Sequence, residues 1–197
     1  MSTFSTIVEH IEASILTKSR ILSDEKLMLE IKKSAELIIE AYKNGNKVLF
    51  AGNGGSAADA QHLAAELSGR FYFDRPPLPA EALHCNTSYL TAVANDYGYD
   101  EVFARMVKGS GQSGDVLVGL STSGNSPNIL KAFETAKSQG LKTIAFTGET
   151  GREMKNLADI LLNVPSMDTP RIQESHILIG HIICCLVEEE LFGHLKR

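Results

Sequence analysis

Short apolar segments alternate with longer amphipathic ones from residue 47 to the end of the chain. The apolar segments are KVLFAG (47–52), PAEAL (79–83), DVLVGL (115–120), KTIAFTG (142–148) and DILLNV (159–164). Helical spacing of apolar residues marks the segments between them, over 56–69, 88–96, 99–107, 126–138, 152–157 and 170–192. Short apolar strands separated by helices are typical of a parallel sheet that is covered on both faces. The pattern therefore predicts an α/β fold with a five-stranded parallel sheet flanked by helices.

Two further helices are expected before the first strand. Apolar residues recur at helical spacing over 7–16 and again over 28–42, and the second pattern ends at KNGNK. We therefore expect an N-terminal helical hairpin over 1–45, packed elsewhere than on the sheet, and an α/β core with a C-terminal helix over 46–197. No repeat, linker or low-complexity tract divides the 197 residues, so a single domain is expected.

Charge and cysteine content restrict the class of protein further. The net charge of −5 disfavours nucleic acid as the main partner, because binding to a phosphate backbone needs a basic face. The three cysteines, Cys85, Cys184 and Cys185, lack CxxC spacing, which favours reduced thiols in a cytoplasmic protein. The apolar run 177–187 is about half of the roughly 20 residues that a membrane span requires. No secretory signal is visible, and no membrane partner is expected.

The strand segment 115–120 runs directly into a loop that is rich in hydroxyl groups. Four hydroxyls fall within six residues, at Ser121, Thr122, Ser123 and Ser126, with Gly124 among them. In an open parallel sheet, ligands bind at the carboxyl ends of the strands. A helix that begins near Ser126 would add unpaired N–H groups and a positive dipole end, which attract an anion. An ordinary capped loop is the alternative, but the number of hydroxyls favours a phosphate site.

A second glycine-rich loop, AGNGGSAADA (51–60), follows the first strand segment. Gly52, Gly54 and Ala57 fit the pattern G-x-G-x-x-A of dinucleotide-binding proteins. That fingerprint also needs an acidic residue at the end of a second strand about 20 positions later, and the sequence there is typical of a loop. NAD binding is therefore disfavoured, and the absence of GxxxxGK[ST] excludes a P-loop. Asn53 and Ser56 are better interpreted as polar groups for a sugar hydroxyl.

Candidate acid, base and metal-binding residues lie on two of the predicted helices. His62 and Glu66 are four residues apart and share one helical face, a spacing also found in two-ligand metal helices. The last helix carries Gln173, Glu174, His176 and His181 within an apolar context, where polar groups are costly to bury unless they are paired or used. Two interpretations stay open: a catalytic or metal-binding set, or an exposed His62–Glu66 pair with hydrogen-bonded core histidines.

Four motifs together resemble the sugar isomerase (SIS) domain family and, within it, the phosphoheptose isomerases. They are GNGGSAADAQHLAAEL, AVANDYGYD, GDVLVGLSTSGNSPN and RIQESHILIGH, in this order over nearly the whole chain. The resemblance implies a flavodoxin-like sheet and a homotetramer that uses the N-terminal helices in oligomerisation. It also implies conversion of D-sedoheptulose 7-phosphate to D-glycero-D-manno-heptose 7-phosphate. This is the first step of nucleotide-activated heptose synthesis for lipopolysaccharide core or capsule.

The resemblance also implies roles for individual residues. Phosphate binding falls to Ser121, Thr122, Ser123 and Ser126. Sugar or loop contacts fall to Asn53, Gly54, Gly55, Ser56, Asn95, Asp96 and Gln173, although the local sequence around Asn95 and Asp96 is also typical of a helix end. Glu66 is implied as general base and His181 as its acid partner. The implied ligands of a Zn²⁺ ion are His62, Glu66, Gln173 and His181.

One position departs from the family pattern, and alternative functions exist within the family. Pro170 stands where some members carry an acidic substrate contact, which puts one sugar contact in doubt. The family also includes a non-catalytic protein that binds the replication initiator DnaA and lacks the acid–base pair. Since Glu66 and His181 are both present here, the enzyme is favoured over that binding module. A regulator that senses sugar phosphates without turnover is a third possibility.

Overall fold

The computed structural model describes residues 3–196 and contains the expected five-stranded parallel sheet. The strands are β1 (Val48–Gly52), β2 (Ala80–Ala82), β3 (Val116–Ser121), β4 (Lys142–Thr147) and β5 (Ile160–Asn163). The helices are α1 (Thr3–Ser23), α2 (Glu25–Lys43), α3 (Gly55–Ser68), α4 (Thr87–Tyr97), α5 (Val102–Ser110), α6 (Pro127–Ser138), α7 (Met154–Leu157) and α8 (Thr169–Phe192). Short 3₁₀ turns occupy Tyr99–Glu101 and Gly193–Leu195. The α/β class is confirmed.

The strands are arranged in the order β2-β1-β3-β4-β5, and every pair is parallel. The chain moves outward in one direction from β1 to β2 and in the other from β3 to β5. Ligands in such sheets bind where this direction changes, between the carboxyl ends of β1 and β3. Gly52 is paired with Leu120 in the register of these strands, so the two loops singled out in the sequence begin side by side.

Alternating strand residues supply two apolar cores. Val116, Val118 and Leu120 face one side of the sheet with the buried faces of α2, α3 and α8, whereas Leu117 faces α4, α5 and α6 on the other side. Strand residues are buried on both faces, as expected where helices cover both sides of a parallel sheet. The sheet therefore holds the carboxyl ends of β1, β3 and β4 in fixed positions.

The N-terminal hairpin is present, but the expectation that it packs away from the sheet is wrong for α2. Asp24 alone separates α1 from α2, and its carboxylate caps α2 by accepting a hydrogen bond from the amide of Leu27 at 3.0 Å. Ile31 and Ile38 of α2 are buried in the same core as Phe146 of the sheet. The apolar stripe of α2 is used against the sheet and α8.

Helix α1 leaves most of its apolar residues exposed. The exposed fraction is 75% for Phe4, 52% for Ile7, 56% for Ile11 and 59% for Ile15. A row of apolar side chains at helical spacing on an exposed face is typical of a surface that contacts another protein chain. Within residues 3–196, none of the helices is long and apolar enough to cross a membrane.

Candidate active site

The loop that follows β3 gathers its hydroxyl groups around one point. The Oγ atom of Ser121 lies 2.8 Å from Oγ of Ser126 and 3.3 Å from Oγ of Ser123. Ser126 is the N-cap residue of α6, yet its side chain makes no capping hydrogen bond and is directed to Ser121 instead. The hydroxyl of the N-cap residue is therefore not used for capping, as an ordinary capped loop would require. Three neutral donors converge at the amino end of a 12-residue helix, where the dipole favours an anion.

The segment 148–153, between β4 and α7, holds this serine loop in place. The amide of Gly148 donates to the carbonyl of Thr122, and the amide of Met154 donates to the carbonyl of Gly124, each at 3.1 Å. Gly124 has φ of 68°, and a Cβ atom there would lie 2.5 Å from the carbonyl oxygen of Gly151. Only glycine meets both conditions. The two loops therefore form one rigid edge of the sheet.

A cavity of about 350 Å³ opens beside the serine loop on the β4 side. Thr122, Ser123 and Asn125 line one side of it, and Glu149 and Arg152 are among the residues that line the rest. This volume is within the range of small-molecule sites. Arg152 was not singled out in the sequence; with φ of 39° it is the one non-glycine residue of the described range in the left-handed region.

The glycine-rich loop after β1 is joined to the serine loop by a pair of amide side chains. Nδ2 of Asn53 donates to Oδ1 of Asn128 at 2.9 Å, and Nδ2 of Asn128 donates to Oδ1 of Asn53 at 2.9 Å. The hydroxyl of Tyr99 also donates to Asn53, at 3.1 Å. Ser56 is buried in the first turn of α3. The loop interactions of Asn53 thus involve two residues that sequence reasoning missed.

Gly54 and Gly55 form the start of α3, where Gln173 of α8 meets them. Gly54 is the N-cap residue, with φ of 56°, and Gly55 is the first helical residue. A Cβ atom on Gly55 would lie 2.5 Å from Nε2 of Gln173, so the glutamine amide occupies the space that a side chain would take. Gln173 therefore lies at the glycine-rich loop.

His62, Glu66 and His181 come together on the adjoining faces of α3 and α8. Nε2 of His62 lies 2.9 Å from Nε2 of His181 and 3.2 Å from Oε1 of Glu66. The two imidazole rings are edge to face, with centroids 5.1 Å apart. A solvated intrahelical pair explains the His62–Glu66 contact but not the approach of His181 from another helix. The structure therefore favours the functional interpretation of these three residues.

The donor set of this group fits a metal ion. The three ligand atoms all lie within 4.8 Å of one another. Metal–ligand bonds of about 2.0–2.1 Å in a tetrahedron place ligand atoms roughly 3.4 Å apart, close to the spacing seen here. Two imidazoles and one carboxylate leave a fourth position open, as in catalytic zinc sites. Gln173, the fourth ligand implied by the resemblance, precedes His181 by eight residues, about 12 Å of helix.

The serine loop and the histidine–glutamate group occupy separate parts of the chain. Helix α3 connects two parallel strands, so it runs from the carboxyl edge of the sheet back towards the amino edge. His62 and Glu66 follow Gly55 by seven and eleven residues, which is roughly 10 and 16 Å along the helix. One chain thus presents the serine loop at the sheet edge and the His62–Glu66–His181 group further along the helices.

Asn95 and Asp96 lie apart from both groups within the described chain. They occupy the last turn of α4, are exposed, and pair with each other through a 2.9 Å hydrogen bond. No hydrogen bond within residues 3–196 joins either of them to the serine loop. Their implied sugar contact remains a prediction, and in this chain they occupy the helix end that their local sequence indicated.

Comparisons with known proteins agree with this architecture. A family model described as "SIS domain" matches residues 12–148. A phosphoheptose isomerase of Aneurinibacillus thermoaerophilus is 56% identical over 94% of both chains, and "Phosphoheptose isomerase 2" of Campylobacter jejuni is 58% identical over 96% of this chain and 94% of its own. The solved phosphoheptose isomerase of Francisella tularensis has a TM-score of 0.92 at 38% identity, covering 96% of this chain and 100% of that one. That of Neisseria gonorrhoeae has a TM-score of 0.89 at 42% identity, covering 95% and 100%.

The fold and the family match define the class: the chain belongs to the SIS domain family. Within that family it is similar, over nearly its full length, to proteins named phosphoheptose isomerases, which confirms the resemblance drawn from the four motifs.

Proposed function

We propose that this chain is a phosphoheptose isomerase, converting D-sedoheptulose 7-phosphate to D-glycero-D-manno-heptose 7-phosphate. The observation that carries the proposal is the meeting of His62, Glu66 and His181 in a fold that also builds a hydroxyl-lined anion loop. Full-length relatives named for this activity support it. The non-catalytic alternative gains no support, since the carboxylate and the imidazole expected of an enzyme lie together.

The serine loop holds the phosphate group at C7. The hydroxyls of Ser123 and Ser126 both lie within 3.3 Å of the hydroxyl of Ser121, and each of the three can donate to a phosphate oxygen. Thr122 lines the adjoining cavity and adds a fourth hydroxyl. Neutral donors and a helix amino end bind a dianion without a buried cation in the loop itself, so the product phosphate can leave after the reaction.

Glu66 and His181 carry out the proton transfers. Glu66 removes a proton from C1 of the ketose, and the electron pair forms the C1–C2 double bond of a cis-enediol as the carbonyl oxygen gains a proton. His181 moves protons between the two oxygens, and return of a proton to C2 leaves the aldehyde at C1. A positioned acid or base contributes about 10²–10⁴-fold to the rate.

Zinc is the metal that this donor set suits best. His62 and His181 supply imidazole nitrogens and Glu66 a carboxylate oxygen, with Gln173 as the further ligand that the resemblance implies. When bound, the ion would polarise the carbonyl and stabilise negative charge on the enediolate oxygens. Tight coordination of Glu66 would weaken it as a base, because the ion and the C1 proton compete for the same carboxylate.

We place the complete site between subunits of a homotetramer. His62 and Glu66 lie roughly 10 and 16 Å along α3 from Gly55, whereas the serine loop lies at the carboxyl edge of the sheet, where α3 begins. The exposed apolar row on α1 offers a surface for association. Subunit packing would then bring Glu66 and His181 of one chain towards the phosphate loop of another and close the site against water.

The proposed setting of the reaction is cytoplasmic heptose synthesis. Cys85, Cys184 and Cys185 are free thiols, as in proteins of a reducing compartment. The product would enter nucleotide-activated heptose synthesis, for lipopolysaccharide core or for a capsule.

The proposal is tested by turnover of the natural substrate by two variants. Glu66→Gln and His181→Gln remove a proton acceptor and an imidazole while keeping side-chain size, so we expect kcat to fall by about 10²–10⁴-fold with an unchanged fold. Formation of aldose from sedoheptulose 7-phosphate, followed by NMR, gives kcat, and Glu81→Gln at an exposed position of β2 serves as the control. Turnover close to wild type in either variant would contradict the assignment.

A further inference from the structure

A buried ion pair lies behind the His62–Glu66–His181 group. Nε of Arg75 donates to Oε1 of Glu188 at 2.9 Å, and the two side chains are only 0% and 1% exposed. Arg75 comes from the irregular segment after α3. Glu188 lies on α8 seven residues after His181, and two helical turns place both residues on the same face of that helix.

Arg75 closes the helix turn that carries Glu66. Its Nη2 atom donates to the carbonyl of Glu66 at 2.8 Å, and Nη1 donates to the carbonyls of Leu67 at 2.9 Å and Gly69 at 3.2 Å. The last carbonyls of a helix lack partners within the helix, and a cation at this end also complements the helix dipole. The backbone of Glu66 is therefore fixed by a rigid guanidinium as well as by its own helix.

Glu188 fixes the segment that contacts His181. Its carboxylate accepts hydrogen bonds from the amides of Phe71 at 2.9 Å and Tyr72 at 2.7 Å. Burial acts to raise the pKa of Glu188, but these amides and Arg75 outweigh it, so the pKa is lowered and the group stays ionised. The ring of Phe71 lies 5.5 Å from the ring of His181, centroid to centroid.

We infer that Arg75 and Glu188 are a positioning pair, which fixes the distance between Glu66 and His181. One partner holds the last turn of α3, and the other holds Phe71 and belongs to the helix of His181. Stability alone explains such a pair poorly, because well-packed apolar residues often replace a buried ion pair without loss. The planar fork of arginine fixes several acceptors in one geometry, which lysine cannot do. The kinetic part of the inference rests on the proposed isomerase activity.

The test compares Glu188→Gln and Arg75→Lys with a matched control outside α3 and α8. Asp115 is also a buried carboxylate, 1% exposed, and it accepts hydrogen bonds from Nζ of Lys47 at 2.6 Å and from two backbone amides. Asp115→Asn thus removes a comparably bonded charge at the amino end of β3, where the hydrogen-bond partners are Asn46, Lys47 and Gln112 and none belongs to α3 or α8. Thermal unfolding of all three variants measures what each loses in stability.

Two further measurements distinguish a pair that positions Glu66 and His181 from a pair that only stabilises the fold. One is the affinity for Zn²⁺ alone, measured by competition with a chromophoric chelator. The other is the determination of kcat and KM. We expect Glu188→Gln and Arg75→Lys to lower Zn²⁺ affinity and kcat by about 10–100-fold each, since small displacements of ligands and catalytic groups have effects of that size. KM should change little, because the serine loop is untouched. Asp115→Asn should lose stability and keep both affinity and kcat.

Two results would overturn the inference. One is wild-type Zn²⁺ affinity and kcat in both variants of the pair; the other is an equal loss in Asp115→Asn at the same loss of stability. If Glu188→Gln does not fold, the Arg75→Lys variant decides whether the inference holds. Lysine keeps the positive charge but lacks the planar guanidinium. A wild-type protein that binds Zn²⁺ without isomerising the sugar would defeat the proposed function, while the Zn²⁺ measurements would still decide the positioning pair.

Discussion

Arg152 shows how single residues at the serine loop depart from ordinary backbone geometry. Its φ of 39° lies in the left-handed region, which costs a side-chain-bearing residue on the order of 1–2 kcal/mol. Gly151, with φ of 64°, precedes it and contacts Gly124 of the serine loop. The strain is therefore imposed by the docking of the two loops, and it lies at the rim of the candidate phosphate site.

We predict that Arg152→Gly raises the free energy of unfolding by up to about 1 kcal/mol, because glycine relieves the strain and only part of the gain is lost to the flexibility of the unfolded chain. Lys155→Gly is the matched control: it removes a cation from the next helix turn and should lower stability by about 0.5–1 kcal/mol. Urea unfolding measures both. Equal destabilisation by the two substitutions would show that loss of the guanidinium, rather than relief of backbone strain at Arg152, determines the change in unfolding free energy.

His176 gives a residue-scale prediction about pH. Burial lowers its pKa to about 4, while its Nε2 atom lies 3.1 Å from the carbonyl oxygen of Thr147. In the unfolded chain the imidazole of His176 binds a proton near pH 6.5, whereas in the folded chain it stays neutral down to about pH 4. The contribution of His176 to stability is therefore complete above pH 6.5 and falls between pH 6.5 and 4, by roughly 3 kcal/mol at most.

We expect His176→Gln to flatten the dependence of the unfolding free energy on pH across this interval. Urea titrations at several pH values between 7 and 4 measure the slope, and His194→Gln, at an exposed position, should keep the wild-type slope. A slope unchanged by His176→Gln would mean that the imidazole takes up its proton in the folded chain.

Contacts between side chains that are far apart in the sequence could be predicted least. The serine hydroxyls and the His62–Glu66 pair could be predicted, because each set is close in sequence and its geometry follows from one turn or one helix. Asn53 and Asn128 are 75 positions apart, and their reciprocal amide pair depends on two loops meeting at the sheet edge. Asn128, at the start of an apolar helix, was the available sign of a polar contact. Its partner residue could not be identified from one sequence.

At the scale of elements, the strands and helices follow the sequence to within one to three residues at nearly every end. Periodicity fixes where a helix runs, and glycine, proline and polar residues mark its ends. The expectation that proved wrong is that α2 packs away from the sheet. Its buried stripe suits a sheet as well as another helix and consists of Leu27, Ile31, Ala35 and Ile38. Periodicity shows which face is buried but not which neighbour buries it.

The contact between the serine loop and segment 148–153 leads to an element-scale prediction. Gly124→Ala places a methyl group 2.5 Å from the carbonyl oxygen of Gly151 at φ of 68°, so the two loops must separate. We expect a loss of about 2 kcal/mol or more in unfolding free energy because the backbone is strained. We also expect at least a roughly tenfold rise in KM, because the serine-loop hydroxyls no longer point to one phosphate position.

Gly109→Ala is the control for this substitution. A methyl group there has no atom within 4 Å, and the site is inside α5, so stability should rise by about 0.5–1 kcal/mol with KM unchanged. A Gly124→Ala enzyme with wild-type KM would show that the serine loop does not hold the substrate phosphate.

At the scale of the whole molecule, the proposed site requires more than one chain. Neither the proposed homotetramer nor the proposed sharing of residues between subunits could be predicted from one sequence, except through the family resemblance. The physical signs are the apolar row on α1, with Ile7 and Ile11 more than half exposed, and the position of Glu66 near the end of α3 that lies away from the glycine-rich loop.

We predict that Ile7→Glu combined with Ile11→Glu dissociates the tetramer and lowers kcat by at least about tenfold while each chain stays folded, because charges cannot be buried in an apolar contact without partners. Light scattering after size exclusion measures the mass, and circular dichroism monitors the fold. Glu9→Gln with Glu12→Gln, on the same helix, is the control. A fully active monomer would contradict the shared site.

Hydrogen exchange during turnover tests the central claim most directly. The wild-type protein is incubated with sedoheptulose 7-phosphate in D₂O, and the aldose is examined by NMR. The account predicts an aldose that carries solvent deuterium at C2, and none from the Glu66→Gln variant, because the carboxylate takes a proton from C1 and can exchange it before return. Sugar phosphate that binds but stays a ketose, or an aldose formed equally well without the carboxylate, would contradict it.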